Sequence, residues 1–106
     1  MAGLNIHLVG PGAYRMQGPM TFAHISQNTL RALKFPAGIS PIRLDLAEVS
    51  GVDSAGLALL IECIRLTRAN GADLQLSNIP PQLMALAKLS GLDGSDYFAP
   101  QAASPL

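Results

Sequence analysis

The chain has 106 residues, which is enough for one compact domain and too few for two. Apolar residues make up 49% of it, so a buried core can form, and seven Lys plus Arg balance seven Asp plus Glu. The basic residues are scattered, which argues against a nucleic-acid partner because such binders carry a basic patch. Charged residues are only 13% of the chain. A surface with so few charges is expected to be buried against a partner protein.

The single cysteine and the short apolar runs indicate where the chain resides. Because Cys63 is the single cysteine, an internal disulfide and any multi-cysteine metal site are excluded. The longest wholly apolar run covers residues 57–61, which is far shorter than the roughly 18 residues of a membrane span. We therefore expect a protein of a reducing compartment, most simply the cytoplasm, that does not insert into a membrane.

The first predicted elements are a β-hairpin and a helix. Apolar and polar residues alternate over 4–9, as in a half-buried strand, and Gly10-Pro11-Gly12 predicts a turn into a return strand over 14–17. The inward side chains of the first strand are predicted to be Leu4, Ile6 and Leu8. Thr21 is then the predicted cap of a helix. Its apolar positions recur every three or four residues, at Phe22, Ile25, Thr29 and Leu33.

The middle of the chain contains its longest predicted helix. A strand over 42–46 precedes it, and the segment 50–56 turns the chain into a helix over 55–69. Asn70-Gly71 ends this helix with a left-handed cap.

The last predicted elements are a strand over 72–77 and a helix over 82–89 that Gly91 closes. Residues 1–98 are therefore predicted to form a single domain, and 99–106 a disordered tail. The resulting order, β-β-α-β-α-β-α, favours an α/β fold with a mixed, mainly parallel sheet. Periodicity alone leaves open whether the helices cover one face of the sheet or both.

Motifs for catalysis are missing from the sequence. It contains no phosphate-binding G-x-x-x-x-G-K-[ST] loop, and Val52 stands where a nucleophile elbow around Ser54 would need glycine. His7 lies on the polar face of its strand and His24 lies beside the apolar stripe of its helix, so neither is a convincing base. We expect no enzyme, no cofactor and no metal site.

The turn before the long helix offers two interpretations. Asp53 and Ser54 stand where a helix leaves backbone N–H groups unpaired, so one role for them is capping. A hydroxyl at that place is also exposed and close to donors that favour an anion. Ser54 is therefore a possible regulatory hydroxyl or partner contact.

The long helix carries more apolar surface than one sheet can cover. At 100° per residue, its sheet-facing arc is predicted to hold Leu57, Leu60, Ile61 and Ile64. A polar or small-residue arc holds Glu62, Arg65 and Ala69. Leu59 and Leu66 lie between the two arcs and are predicted to remain exposed until a partner covers them. The predicted partner-binding residues are Asp53, Ser54, Ala55, Leu59, Glu62, Cys63 and Leu66.

The sequence resembles the STAS domain family, the fold of anti-sigma-factor antagonists. The resemblance rests on residues 44–46, on the turn Val52-Asp53-Ser54-Ala55-Gly56-Leu57, and on Asn70-Gly71 before a strand. Residues 18–22 and 86–89 are similar to one branch, the MlaB-like cytoplasmic subunits of phospholipid-transporting ABC complexes that maintain outer-membrane lipid asymmetry.

The resemblance implies a four-stranded mixed sheet with helices mainly on one face. It also implies a non-catalytic subunit that binds the transporter's ATPase subunit, MlaF-like, and supports its assembly or activity. In that branch a threonine corresponds to Ser54. The alternative is an anti-sigma-factor antagonist that binds an anti-sigma kinase. Self-association of the isolated protein through the long helix stays open.

Overall fold

A computed structural model describes residues 3–92, which form one mixed sheet packed against helices. The elements in chain order are β1 (Asn5–Gly10), β2 (Ala13–Met20), a 3₁₀ turn (Phe22–His24), α1 (Gln27–Ala32), β3 (Ile42–Val52), α2 (Ser54–Ala69), β4 (Leu74–Ser77) and α3 (Pro81–Leu89). The predicted order of strands and helices is confirmed, and the bounds of α2 and α3 differ from the prediction by one residue each. The predicted tail, 99–106, lies outside the described residues.

The sheet has the strand order β1-β2-β3-β4. β1 and β2 form an antiparallel hairpin, whereas β3 pairs in parallel with β2 and with β4. The expected mixed and mainly parallel four-stranded sheet is therefore confirmed. β3 extends to Val52, well beyond the predicted 42–46, because the end of β2 continues to pair with it through Met20 opposite Val52.

Within residues 3–92, the sheet buries one face and leaves the other open. Side chains on the buried face belong to the same core cluster as those of the helices, so the helices pack on that one face. On the open face the Arg15 guanidinium lies 3.6 Å from a carboxylate oxygen of Asp45 and 3.9 Å from one of Glu48. Periodicity could not choose between one covered face and two, and the structure settles the choice in favour of one.

Leu8 was expected to be buried on the same face as Leu4 and Ile6, and the predicted burial is wrong although the predicted face is right. Leu4 is buried and Ile6 is half-buried, but Leu8 is 67% exposed. The alternation is present, yet β1 is the edge strand, and Leu8 lies next to the hairpin turn with only Tyr14 opposite it. A position on the inward face of an edge strand is buried only where a helix lies over it.

The first helix begins later than predicted. The chain makes a 3₁₀ turn over Phe22–His24, and α1 starts after Ser26, whose hydroxyl accepts from the N–H of Thr29 at 3.3 Å in a capping box. The Thr21 side chain makes no cap hydrogen bond, and instead its hydroxyl lies 2.8 Å from His24 Nδ1. Thr21 does not cap a helix because its hydroxyl is hydrogen-bonded to the imidazole of His24.

Helix α2 is rotated about its axis relative to the prediction, by roughly 80° at 100° per residue. The buried side of α2 consists of Gly56, Leu57, Leu59, Leu60, Cys63 and Thr67. It is centred on small residues that allow close approach to the sheet, and the Thr67 hydroxyl is satisfied by donating to the carbonyl of Cys63 at 3.1 Å. Ile61, predicted to face the sheet, is 44% exposed.

The expectation that Leu59 is exposed until a partner covers it is therefore wrong. Leu59 is 3% exposed and Cys63 is fully buried, while Leu66 is half-buried and packs against the core. The prediction assumed that so short a chain could not supply a second layer to cover α2. The segment before α1 and helix α3 both pack against α2 and supply the missing cover.

Candidate functional site

The amino end of α2 is built around the carboxylate of Asp53. Its Oδ1 accepts from the backbone N–H groups of Ala55 at 2.9 Å and Gly56 at 3.3 Å, which caps the helix as predicted. Its Oδ2 accepts from the backbone N–H of Phe22 at 3.0 Å. The hydrogen bonds from Phe22, Gly56 and Ala55 hold the pKa of Asp53 below its ordinary value. One side chain thus joins the start of α2 to the segment that follows β2.

Gly56 allows α2 to lie directly against the end of β2. A Cβ built on Gly56 would overlap the Met20 carbonyl oxygen and would lie 2.8 Å from Met20 Cγ. The backbone N–H of Asp53 also approaches that carbonyl oxygen, at 3.4 Å. Only glycine fits this contact, which explains the residue type at the fourth position of the Asp53-Ser54-Ala55-Gly56 turn.

Ser54 is the first residue of α2 and is exposed. Among residues 3–92 its hydroxyl has no hydrogen-bond partner, because Asp53 already performs the capping. The side chain is therefore free to contact another molecule while its backbone is held by the cap.

Two grooves run along the sides of α2. The α1–α2 groove has a volume of about 410 Å³, and the residues that line it are Ile25, Leu30, Ala55, Ala58, Leu59 and Glu62. The α2–α3 groove has a volume of about 420 Å³, and the residues that line it are Val52, Asp53, Ser54, Gln82, Ala85, Leu86 and Leu89. Ser54 and Ala55 thus lie on the ridge between two largely apolar depressions.

Large apolar side chains are exposed on the segments that flank this ridge. Phe22 is 81% exposed beside Asp53, and Leu89 is 85% exposed on the wall of the α2–α3 groove. Ala58 and Ile61 extend the exposed strip along α2. We call the five residues Phe22, Ser54, Ala58, Ile61 and Leu89 the Ser54 surface.

The structure divides the predicted partner-binding residues into two groups. Asp53, Ser54, Ala55 and Glu62 line the grooves and are at least partly accessible. Leu59 forms the floor of the α1–α2 groove, so only its edge is accessible, and Cys63 lies wholly in the core. Leu66 is half-buried, one turn beyond Glu62.

Sequence reasoning missed all four apolar members of the Ser54 surface. It placed Phe22 on the apolar stripe of the first helix and Ile61 toward the sheet, but the two side chains are 81% and 44% exposed, and it gave no orientation to Ala58 or Leu89. The hydrogen bond from Phe22 to Asp53 spans 31 residues and leaves no trace in local periodicity.

Helix α2 carries an ion pair between Glu62 and Arg65 on its surface and the thiol of Cys63 in the core. The Arg65 Nε donates to Glu62 Oε1 at 2.9 Å, and this bond lowers the pKa of Glu62 and raises the pKa of Arg65. Burial raises the pKa of the Cys63 thiol to about 12. Cys63 therefore stays protonated and unreactive at neutral pH.

No cluster of three or more His, Cys, Asp or Glu suitable for a metal ion is found in residues 3–92. No helix in the described part of the chain is long and apolar enough to cross a membrane.

Comparison with known proteins identifies the family of the chain. The family model of the STAS domain matches residues 6–102. The chain belongs to the STAS domain family. None of the curated proteins compared with the chain matches it. STAS domains are in general non-enzymatic modules for protein interaction, which agrees with the missing catalytic motifs. In this STAS domain the Asp53–Gly56 turn and the Ser54 surface lie together at one end of the helical layer.

Proposed function

We propose that this STAS domain is the cytoplasmic, non-catalytic subunit that binds the ATPase subunit of a phospholipid-transporting ABC complex of the Mla type. Its role there is to support assembly or activity of the ATPase, and so to maintain outer-membrane lipid asymmetry. The observation that carries the proposal is the Ser54 surface, where an exposed hydroxyl stands among exposed apolar side chains on a rigid turn. The resemblance of residues 18–22 and 86–89 to the MlaB-like branch supports the choice of this partner.

The apolar side chains give the interface its affinity. Phe22 and Leu89 are more than four-fifths exposed, and burying each contributes roughly 1.5–3 kcal/mol. Aromatic and large aliphatic side chains in the centre of an interface carry most of its binding energy. An ATPase surface with a complementary apolar pocket is therefore the partner that this surface fits.

Charge contributes little to the proposed contact. Both oxygens of Asp53 accept hydrogen bonds from the domain's own backbone, and Glu62 pairs with Arg65. A contact that depends on apolar burial is nearly insensitive to salt, since screening acts on free charges. The complex is expected to persist when the salt concentration rises from 0.1 to about 1 M.

Co-purification with the ATPase subunit tests the proposal. The wild-type chain should form a stable complex, whereas Phe22→Asp and Leu89→Asp should each reduce its yield strongly. Leu8→Asp is the matched control, because Leu8 is an exposed leucine on β1 and lies outside the Ser54 surface. Loss of the complex in all three variants, or in none of them, would contradict the assignment of the surface.

The alternative is an anti-sigma-factor antagonist that binds an anti-sigma kinase. The exposed and unpaired Ser54 hydroxyl supports it, because a phosphate at the first residue of α2 would lie against the positive end of the helix. Incubation with such a kinase and ATP, followed by intact-mass measurement, separates the two functions. A gain of one phosphate that is lost in Ser54→Ala favours the antagonist.

A further inference from the structure

The edge strand β1 has the properties of a strand that pairs with another strand. In the sheet order it contacts only β2, so within residues 3–92 its outer side pairs with no strand. Edge strands in soluble proteins are usually blocked by charged side chains, by proline or by extreme shortness. β1 has six residues, none of them charged or proline, and the first charged residue of the whole chain is Arg15.

Two exposed apolar side chains lie on the same strand. Leu8 is 67% exposed and Val9 is 52% exposed, whereas Ile6, on the same face of β1 as Leu8, is half-buried. Leu8 points to the helix side of the sheet without a helix above it. Burial of Leu8 therefore requires a side chain that comes from beyond the sheet edge.

We infer that β1 pairs antiparallel with β1 of a second copy of this chain, which joins two sheets into one of eight strands. A neutral strand suits a copy of itself, because no like charges are opposed when the two edges meet. In such a pair a twofold axis stands perpendicular to the sheet. Both helical layers then lie on the same side, and residues directly opposite each other share a face.

This symmetry fixes the register. Ile6 and Leu8 point to the helix side, so a pair centred on His7 places each Ile6 opposite Leu8 of the second copy. Leu8 gains the apolar neighbour that it lacks in one chain. On the open face, His7 lies directly opposite His7 of the second copy. The inference does not depend on the ATPase partner, since β1 lies outside the Ser54 surface.

Sedimentation of the full chain alone tests the pairing. A single pair of edge strands buries less than a standard interface, so the dimer should form over about 10 μM to 1 mM. Leu8→Lys should weaken dimerisation at least about tenfold, and Ile61→Lys should leave it unchanged. Ile61 is an exposed aliphatic residue on α2 and reports self-association through the long helix instead. A chain that stays monomeric at 1 mM, or a dimer that only Ile61→Lys disrupts, overturns the inference.

A charge exchange at position 7 tests the register. His7→Lys alone and His7→Glu alone should each be monomeric, because two like charges then oppose each other across the twofold axis. An equimolar mixture of the two variants should recover a heterodimer at least as tight as the wild type. His7 is exposed on the sheet surface, so both variants should fold. Failure of the mixture to dimerise, while the wild type does, would overturn the pairing centred on His7.

Discussion

The carboxylate of Asp53 accepts a hydrogen bond from the backbone N–H of Phe22, a residue 31 positions earlier in the chain. The same carboxylate caps α2 through Ala55 and Gly56. The capping residue of the longest helix thus also holds the backbone of the most exposed aromatic side chain next to Ser54. Stability of the turn and presentation of the partner surface depend on one side chain.

Removal of this carboxylate should lower stability and loosen Phe22 together. We expect Asp53→Ala to lower the melting temperature by about 5 °C, because three backbone N–H groups lose their acceptor. Asp73→Ala is the control, since the Asp73 carboxylate makes no hydrogen bond to residues 3–92. Thermal unfolding followed by circular dichroism measures both variants. Equal melting temperatures for the two variants would contradict the role of Asp53.

The stabilising effect of Asp53 should depend on pH. Its pKa in the folded domain is lowered, so the contribution is fully present above the unfolded value of about 3.9. It is lost as the pH falls through the folded pKa. The difference in unfolding free energy between wild type and Asp53→Asn, from urea titrations, should therefore shrink as the pH is lowered from 6 to about 3. A difference in unfolding free energy that grows as the pH falls would contradict the lowered pKa of Asp53.

Gly56 should be irreplaceable, whereas Gly51 should not be. In Gly56→Ala the new Cβ meets the Met20 backbone, which cannot move without disrupting β2, so the expected cost is about 3 kcal/mol. A Cβ on Gly51 meets nothing within 4 Å, and Gly51→Ala should change stability by less than about 0.5 kcal/mol. Urea unfolding of both variants measures the contrast. Tolerance of Gly56→Ala would show that α2 and β2 are not in close contact.

Leu59 should behave as a core residue and not as an interface residue. Leu59→Ala should cost about 2–5 kcal/mol of stability, because a buried side chain leaves a cavity. Leu89→Ala removes a side chain that is 85% exposed and should stay within about 0.5 kcal/mol of wild type. If the two leucines gave equal stability losses, the orientation of α2 described above would be wrong.

Cys63 should be protected from thiol reagents in the folded domain. The thiol is fully buried and its pKa is raised to about 12, so almost no thiolate exists at pH 8. Labelling by a disulfide-exchange reagent should be slow in buffer and complete within minutes in denaturing urea. Fast labelling without denaturant would place Cys63 at the surface.

The order of elements could be predicted from the sequence because each strand and helix has its own period and its own end signal. Alternation marked β1, and Asn70-Gly71 and Gly91 marked the ends of α2 and α3, where the two glycines have positive φ. Asp53 as the cap of α2 followed from its residue type and position.

The orientation of α2 could not be predicted in the same way. Counting large aliphatic residues placed Ile61 inward and Leu59 outward, and both assignments are wrong. The buried side is centred on Cys63 and Thr67, which a count of large aliphatic residues leaves out. They pack closely because they are small and because Thr67 donates to a backbone carbonyl. Which face of a helix is covered depends on its neighbours, and those are fixed only by the complete fold.

The most direct test of the proposed function is a titration of the ATPase subunit with wild-type chain, Phe22→Asp and Leu8→Asp. Phe22→Asp should bind the ATPase subunit about 10- to 100-fold more weakly than wild type, because it loses a buried aromatic contact. Leu8→Asp should bind within about twofold of wild type, because β1 lies outside the Ser54 surface. Equal affinity of Phe22→Asp and wild type, or no binding by the wild type, would contradict the central claim.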